Sequence, residues 1–109
     1  MQDSPPLQLG DMTYVGAIDI GTNSTHLLIA AVDTSLKTFS IELAEKSTTR
    51  LGEKDPLTGE LTNIAISRAL ETLKRFKELA ESYKVKNLLI AATSAVREAP
   101  NSNRFLDII

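Results

Sequence analysis

With 109 residues, 42% of them hydrophobic and 24% charged, the chain has the composition of one globular domain or part of one, able to bury about two-thirds of its unfolded surface. A formal net charge of -2 provides no overall positive field for nucleic acid or an anionic membrane surface, so any anion site has to be local. The absence of cysteine and the single histidine, His26, exclude disulfides, thiolate zinc sites and a cysteine nucleophile. They leave little for a serine-histidine hydrolase, and any metal here is a hard cation on oxygen ligands.

Residues 1–12 read as a flexible tail: "MQDSPPLQLGD" has a proline pair and no basic flank or apolar stretch of a signal peptide, so a cytoplasmic location is expected. The apolar run Thr13 to Asp19 predicts a first strand. Leu27 to Val32, apolar throughout, predicts a second strand buried on both faces. Phe39, Ile41 and Leu43 alternate with Ser40, Glu42 and Ala44 in a third strand nearer a sheet edge. These runs, like "LLIAA" at Leu88 to Ala92, fall far short of the roughly 18 residues that cross a bilayer.

The segment Gly52 to Glu60, with Asp-Pro and Thr-Gly signals, reads as a loop. Thr62 is a helix N-cap, and Ile66, Ala69, Leu70, Leu73, Phe76, Ala80 and Tyr83 define one apolar helical face. Arg68, Glu71, Lys74, Lys77, Glu78 and Glu81 are expected on a solvated, mixed-charge face that suits no nucleic acid. A fourth strand, Leu88 to Ala92, precedes the turn "TSAVREAPN" and a second helix from about Ser102. That helix is expected to leave an apolar face of Phe105, Leu106, Ile108 and Ile109 uncovered, as in a piece of a longer protein or a chain needing a partner.

The order strand, strand, strand, helix, strand, helix predicts a meander with a right-handed crossover that brings the fourth strand parallel to the first. The turns after strands one and four then open at the same sheet edge, where open α/β sheets bind ligands. "DIGTNS" suits a phosphate there: Gly21 permits close approach of the backbone, the amides of Thr22, Asn23 and Ser24 can share a concavity, and two hydroxyls add donors. A carboxylate beside a phosphate repels it unless a divalent cation lies between, so Asp19 reads as a ligand for Mg²⁺ or a similar cation. The same motif also suits an ordinary hairpin turn in which Asp19 and Asn23 bond local backbone. From the facing turn, Arg97 can grip phosphate in bidentate fashion and Thr93 and Ser94 supply hydroxyls.

"AIDIGTNSTHLLIA" together with "AATSAVREAPN" resembles the N-terminal part of the exopolyphosphatase and guanosine pentaphosphate phosphohydrolase family, Ppx/GppA. "EKSTTRLGE", "GELTNIAISRALETLKRF" and "NRFLDII" follow the same pattern, so the resemblance spans Tyr14 to Ile109. It implies an α/β, ribonuclease H-like half-domain of the actin-like ATPase superfamily over residues 13–109, incomplete at its C-terminus. Such an enzyme removes terminal phosphate from inorganic polyphosphate or pppGpp in a cleft between two lobes, in a homodimeric parent. By the resemblance Asp19 belongs to the metal motif, Gly21 to Ser24 to the phosphate turn, Arg97 stabilises the phosphoryl group, and Arg50 is a candidate at the cleft mouth. The glutamate that activates water is expected beyond Ile109, so the rest of the same enzyme is needed to complete the site; Glu53 and Glu98 are not assigned that role. Two alternatives stay open on the sequence: the first lobe of a kinase or actin-like ATPase, and a non-catalytic module that binds phosphate-rich ligands or pairs with another chain.

Overall fold

The computed structural model describes residues 12–108. The expected tail, apart from Met12, lies outside this range, as do Ile109 and the surroundings of the Ile108 side chain. In chain order the elements are β1 (Met12–Ile20), β2 (Ser24–Asp33), β3 (Thr38–Thr48), α1 (Asn63–Ser82), β4 (Asn87–Ala92), α2 (Ser94–Arg97) and α3 (Ser102–Ile108).

The strands form one sheet in the order β3-β2-β1-β4. The first three make the expected antiparallel meander, and β4 returns parallel to β1, with Asp19 opposite Ala91 and Ile20 opposite Ala92. A bulge between Ile29 and Ala30 shifts the β2–β3 register from Leu43 to Ile41 and leaves Glu42 without an opposite residue.

Thr62 caps α1 as expected, its hydroxyl accepting the Ala65 amide at 3.1 Å. Ala65, Ala69, Leu73 and Phe76 on α1 meet Ile18 and Ile20 of β1 and Leu27 and Ile29 of β2 in one buried cluster, joined by Leu51, Leu61, Val96 and Phe105. Each large apolar side chain so buried contributes about 1.5–3 kcal/mol.

Two expectations are corrected. β2 is not buried on both faces: Leu27 and Ile29 are buried, but Leu28 is 43% exposed, because α1 covers only one side of the sheet. Register places Leu28, Phe39, Ile41 and Leu89 together on the opposite, open face, where all four are exposed. Phe105, in turn, is not uncovered; it is fully buried in the core and Leu106 is half-buried. The corner between α2 and α3 folds back to bring it there. Ser102 donates to the Arg97 carbonyl, and the Asn101 carboxamide accepts the Leu61 amide at 2.8 Å while donating to the Leu61 carbonyl at 3.0 Å.

At the far end of the β2–β3 hairpin, the Leu36 amide and then the Ser35 hydroxyl and amide donate to Asp33, holding its carboxyl below the usual carboxylate range. The stability this gives is present above the ordinary aspartate pKa and is lost as pH falls through the depressed folded value. The difference in melting temperature between the native sequence and Asp33→Ala should therefore be constant above about pH 5 and shrink below about pH 4. In chemical denaturation, Phe105→Ala should cost about 3–5 kcal/mol and Thr62→Ala about 1 kcal/mol. A Phe105→Ala midpoint equal to that of the native sequence would show that α3 does not belong to the core.

Candidate functional site

Burial of Ile18 and Ile20 against α1 forces the residue between them to the other side of β1, so Asp19 lies exposed on the open sheet face, opposite His26 of β2. Immediately beyond, the Gly21 amide donates to the Ser24 carbonyl at 2.9 Å and closes a tight hairpin with Thr22 and Asn23 exposed at its tip. A Cβ on Gly21 would stand 2.9 Å from the Ser24 carbonyl oxygen, so only glycine fits without a shift.

The carbonyls of this turn are bound from one side by the segment after β3. Gly52 N–H donates to Thr22 O at 2.6 Å, and Thr49 and Arg50 N–H donate to Asn23 O at 3.1 and 3.0 Å. Because the peptides are planar and trans, the Asn23 and Ser24 N–H groups are turned to the opposite side. Neither the Thr22 nor the Asn23 amide donates to a group among the described residues. Bound carbonyls and free amides make a turn that presents hydrogen-bond donors, the polarity an anion requires. Gly52 permits the approach: a Cβ there would lie 3.1 Å from Thr22 O and 3.2 Å from Thr22 Cβ.

Arg50 is held in the left-handed region at φ 53 with its side chain exposed, and it lines a shallow cleft with Thr22, Asn23, Gly52 and Glu53. The sheet-edge juxtaposition expected between the two turns is also present. Thr93 N–H donates to Ile20 O at 3.0 Å, continuing the β1–β4 pairing into α2. The Thr93 hydroxyl is buried and has no hydrogen-bond partner among the described residues. Ser94 and Arg97 are exposed at the two ends of α2, and Arg97 has no ion partner among the described residues. Lys54 Nζ donates to Ala95 O at 2.8 Å and ties the loop after β3 to α2.

The structure thus brings Asp19, the turn Gly21 to Ser24, Arg50, Thr93, Ser94 and Arg97 to one end of the sheet, with the Arg50 backbone bonded directly to the turn. No group of three or more histidine, cysteine or acidic side chains able to hold a metal occurs among the described residues. Sequence reasoning missed three contributors, Gly52, Lys54 and Arg68. Arg68 leaves the solvated face expected for it and is half-buried, with its Nε–H donating to Thr49 O at 3.0 Å and its Nη2 donating to Glu53 Oε1. The arginine-leucine-glycine run of "TTRLGE" was the available signal, because a glycine in a polar loop marks close backbone approach.

The profile of the Ppx/GppA phosphatase family matches residues 28–109. Exopolyphosphatase 2 of Mycobacterium tuberculosis is 35% identical over 96 residues, which cover 86% of this chain and 30% of that protein. The bifunctional 3-dehydroquinate synthase/phosphatase of Fusobacterium nucleatum is 38% identical over 95 residues, 83% of this chain and 14% of that protein. Among solved structures, the Aquifex aeolicus member of the Ppx/GppA family superposes with a TM-score of 0.82 at 35% identity, over 88% of this chain and 31% of that one. The chain therefore spans about a third or less of each of these relatives. Its mixed sheet and helices are an incomplete portion of the actin-like fold those structures share. A profile match over most of the sequence and a superposition at this identity agree that the chain belongs to the Ppx/GppA phosphatase family.

Proposed function

We propose that this chain supplies the first phosphate-binding segment of an enzyme that hydrolyses the terminal phosphoanhydride of inorganic polyphosphate or pppGpp. The observation that carries the reading is the hairpin turn whose Thr22 and Asn23 carbonyls are bound from one side by residues 49–52 while its Thr22 and Asn23 amides donate to no group among the described residues. Exopolyphosphatase relatives favour polyphosphate as substrate.

The reaction in this reading joins a water oxygen to the terminal phosphorus as the bridging P–O bond breaks, giving orthophosphate and a chain shorter by one unit. Charge spreads over the phosphoryl oxygens, and positioned donors supply most of the catalysis in such transfers. Here the turn amides and the Thr22 and Ser24 hydroxyls hold the phosphate, Arg97 offsets charge on the transferred group, and Arg50 and Ser94 contact the neighbouring phosphate, while Thr93, its hydroxyl buried, positions α2 through its amide bond to Ile20. One hard carboxylate among hydroxyl and amide donors suits Mg²⁺, which favours one or two carboxylates plus phosphate oxygens and water over an all-protein cage. Asp19 would hold the cation, whose chemistry is to neutralise phosphate charge. The base that deprotonates water and the second lobe come from the remainder of a longer enzyme, which acts as a homodimer in the cytoplasm. No helix among the described residues is long and apolar enough to cross a membrane.

In the full-length enzyme, Arg97→Ala should lower kcat/KM for polyphosphate or pppGpp by about 100-fold or more with an unchanged melting temperature, because the side chain is exposed. Kinetics equal to those of the native enzyme on both substrates would remove Arg97 from the site. Asp19→Asn should raise the Mg²⁺ concentration needed for half-maximal rate, and phosphate release that persists undiminished in EDTA would overturn the role given to the cation.

A further inference from the structure

We infer that Arg68 and Glu53 are positioning residues for the phosphate site: together they clamp loop 49–53 to helix α1, and through it fix both the turn Gly21 to Ser24 and the Arg50 guanidinium. This rests on the reading of that turn as the phosphate site.

Loop 49–53 carries the donors that bind the turn's carbonyls, yet its backbone is costly to hold. A non-glycine residue in the left-handed region is disfavoured because its Cβ crowds the following carbonyl oxygen, and Arg50 sits at φ 53. Several contacts offset this. Leu51 is fully buried in the core, Glu53 N–H donates to Arg50 O at 3.0 Å, and Thr25 and Thr49 share a buried hydroxyl hydrogen bond at 3.0 Å. Two further contacts come from helix α1. Arg68 Nε–H donates to Thr49 O at 3.0 Å, and its Nη2 donates to Glu53 Oε1.

Thr49 is consequently bonded at both ends of its main chain, its amide to Asn23 O of the turn and its carbonyl to Arg68 of the helix. Helix α1 is capped at Thr62 and buries Ala65, Ala69, Leu73 and Phe76 on either side of Arg68 in sequence, so it is a rigid reference. A guanidinium offers two donors in a fixed fork to the two ends of the loop, which the single ammonium of lysine does not reproduce.

Glu53 has a second role. Its other oxygen lies 3.8 Å from Arg50 Nη1, at the outer limit of an ion pair. One carboxylate shared between Arg50 and Arg68 orients Arg50 toward the cleft with Thr22 and Asn23 without cancelling its charge. The trio keeps one net positive charge for an incoming anion. This separates Glu53 from the general base: its carboxylate is committed to two arginines.

The test uses the full-length enzyme with tripolyphosphate and Mg²⁺, comparing Arg68→Ala, Arg68→Lys, Arg50→Ala and the double variant Arg50→Ala/Arg68→Ala. Arg68→Ala should lower kcat/KM about tenfold, the scale of one charge-assisted hydrogen bond, and Arg68→Lys should restore less than half of the loss. The two alanine changes should combine to less than the product of their separate effects, because Arg68 acts partly through Arg50. Amide hydrogen exchange at Thr49, Arg50 and Gly52 should accelerate about tenfold in Arg68→Ala while Leu73 and Phe76 stay protected. If Arg68→Ala fails to fold, Arg68→Lys carries the same comparisons, since it keeps the charge and loses the fork.

Strictly multiplicative effects with unchanged exchange at residues 49–52 would overturn the inference and reduce Arg68 to a surface ion pair. Faster exchange at those amides in an enzyme whose native form releases no phosphate would support the clamp and overturn the phosphohydrolase reading instead.

Discussion

Amides of Thr49, Arg50 and Gly52 donate to the carbonyls of Asn23 and Thr22, and the remainder of the site depends on that contact. A two-residue hairpin tip is ordinarily indifferent to charge, because its amides and carbonyls are both available. Binding the carbonyls from one side removes the acceptors and fixes the planes of the peptides, so that the donors stay free on the other. The hairpin and the loop after β3 are separated by a whole strand pair, which is why the polarity of the turn is a tertiary property.

Support for that contact comes from two directions. Leu51 reaches inward to the cluster shared by the sheet and α1, and Arg68 reaches back from α1 to the loop, so the same helix both buries the core and braces the site. On the opposite side, the β1–β4 pairing continues through Thr93 N–H to Ile20 O and delivers α2 to the same sheet end. Lys54 then links the loop to α2 at Ala95, closing a ring of contacts around the end of β1. Among the described residues nothing comparable occupies the other face of the sheet, where Leu28, Phe39, Ile41 and Leu89 are exposed and Asp19 and His26 stand as neighbours nearer the turn.

Departures from the sequence-based expectations share one cause. Periodicity reports which residues can be buried, but not what covers them. The continuous apolar run of β2 suggested burial on both faces, yet within residues 12–108 the elements that pack on it, α1 foremost, leave Leu28 on the other face exposed. The end of the chain suggested an uncovered face, yet Phe105 enters the core because Asn101 and Ser102 fold the α2–α3 corner onto the segment before α1. Arg68 sits at a helical position that spacing assigns to solvent, and only the nearness of Thr49 and Glu53 turns it inward.

Local chemistry determined the elements and much of the candidate site. Threonine at the N-cap, the helical spacing of apolar residues, the alternation in β3 and the glycine of "DIGTNS" act within a few residues, so they are readable in order along the chain. The crossover rule likewise placed the turns after β1 and β4 at one edge, because handedness leaves few ways to connect parallel strands. Tertiary structure alone decided that the loop after β3 binds the hairpin's carbonyls, that Gly52 has to pass within reach of Thr22, and that Arg68 and Glu53 join Arg50. Those contacts link residues far apart in sequence, and their energies depend on distances and peptide orientations that no spacing rule specifies.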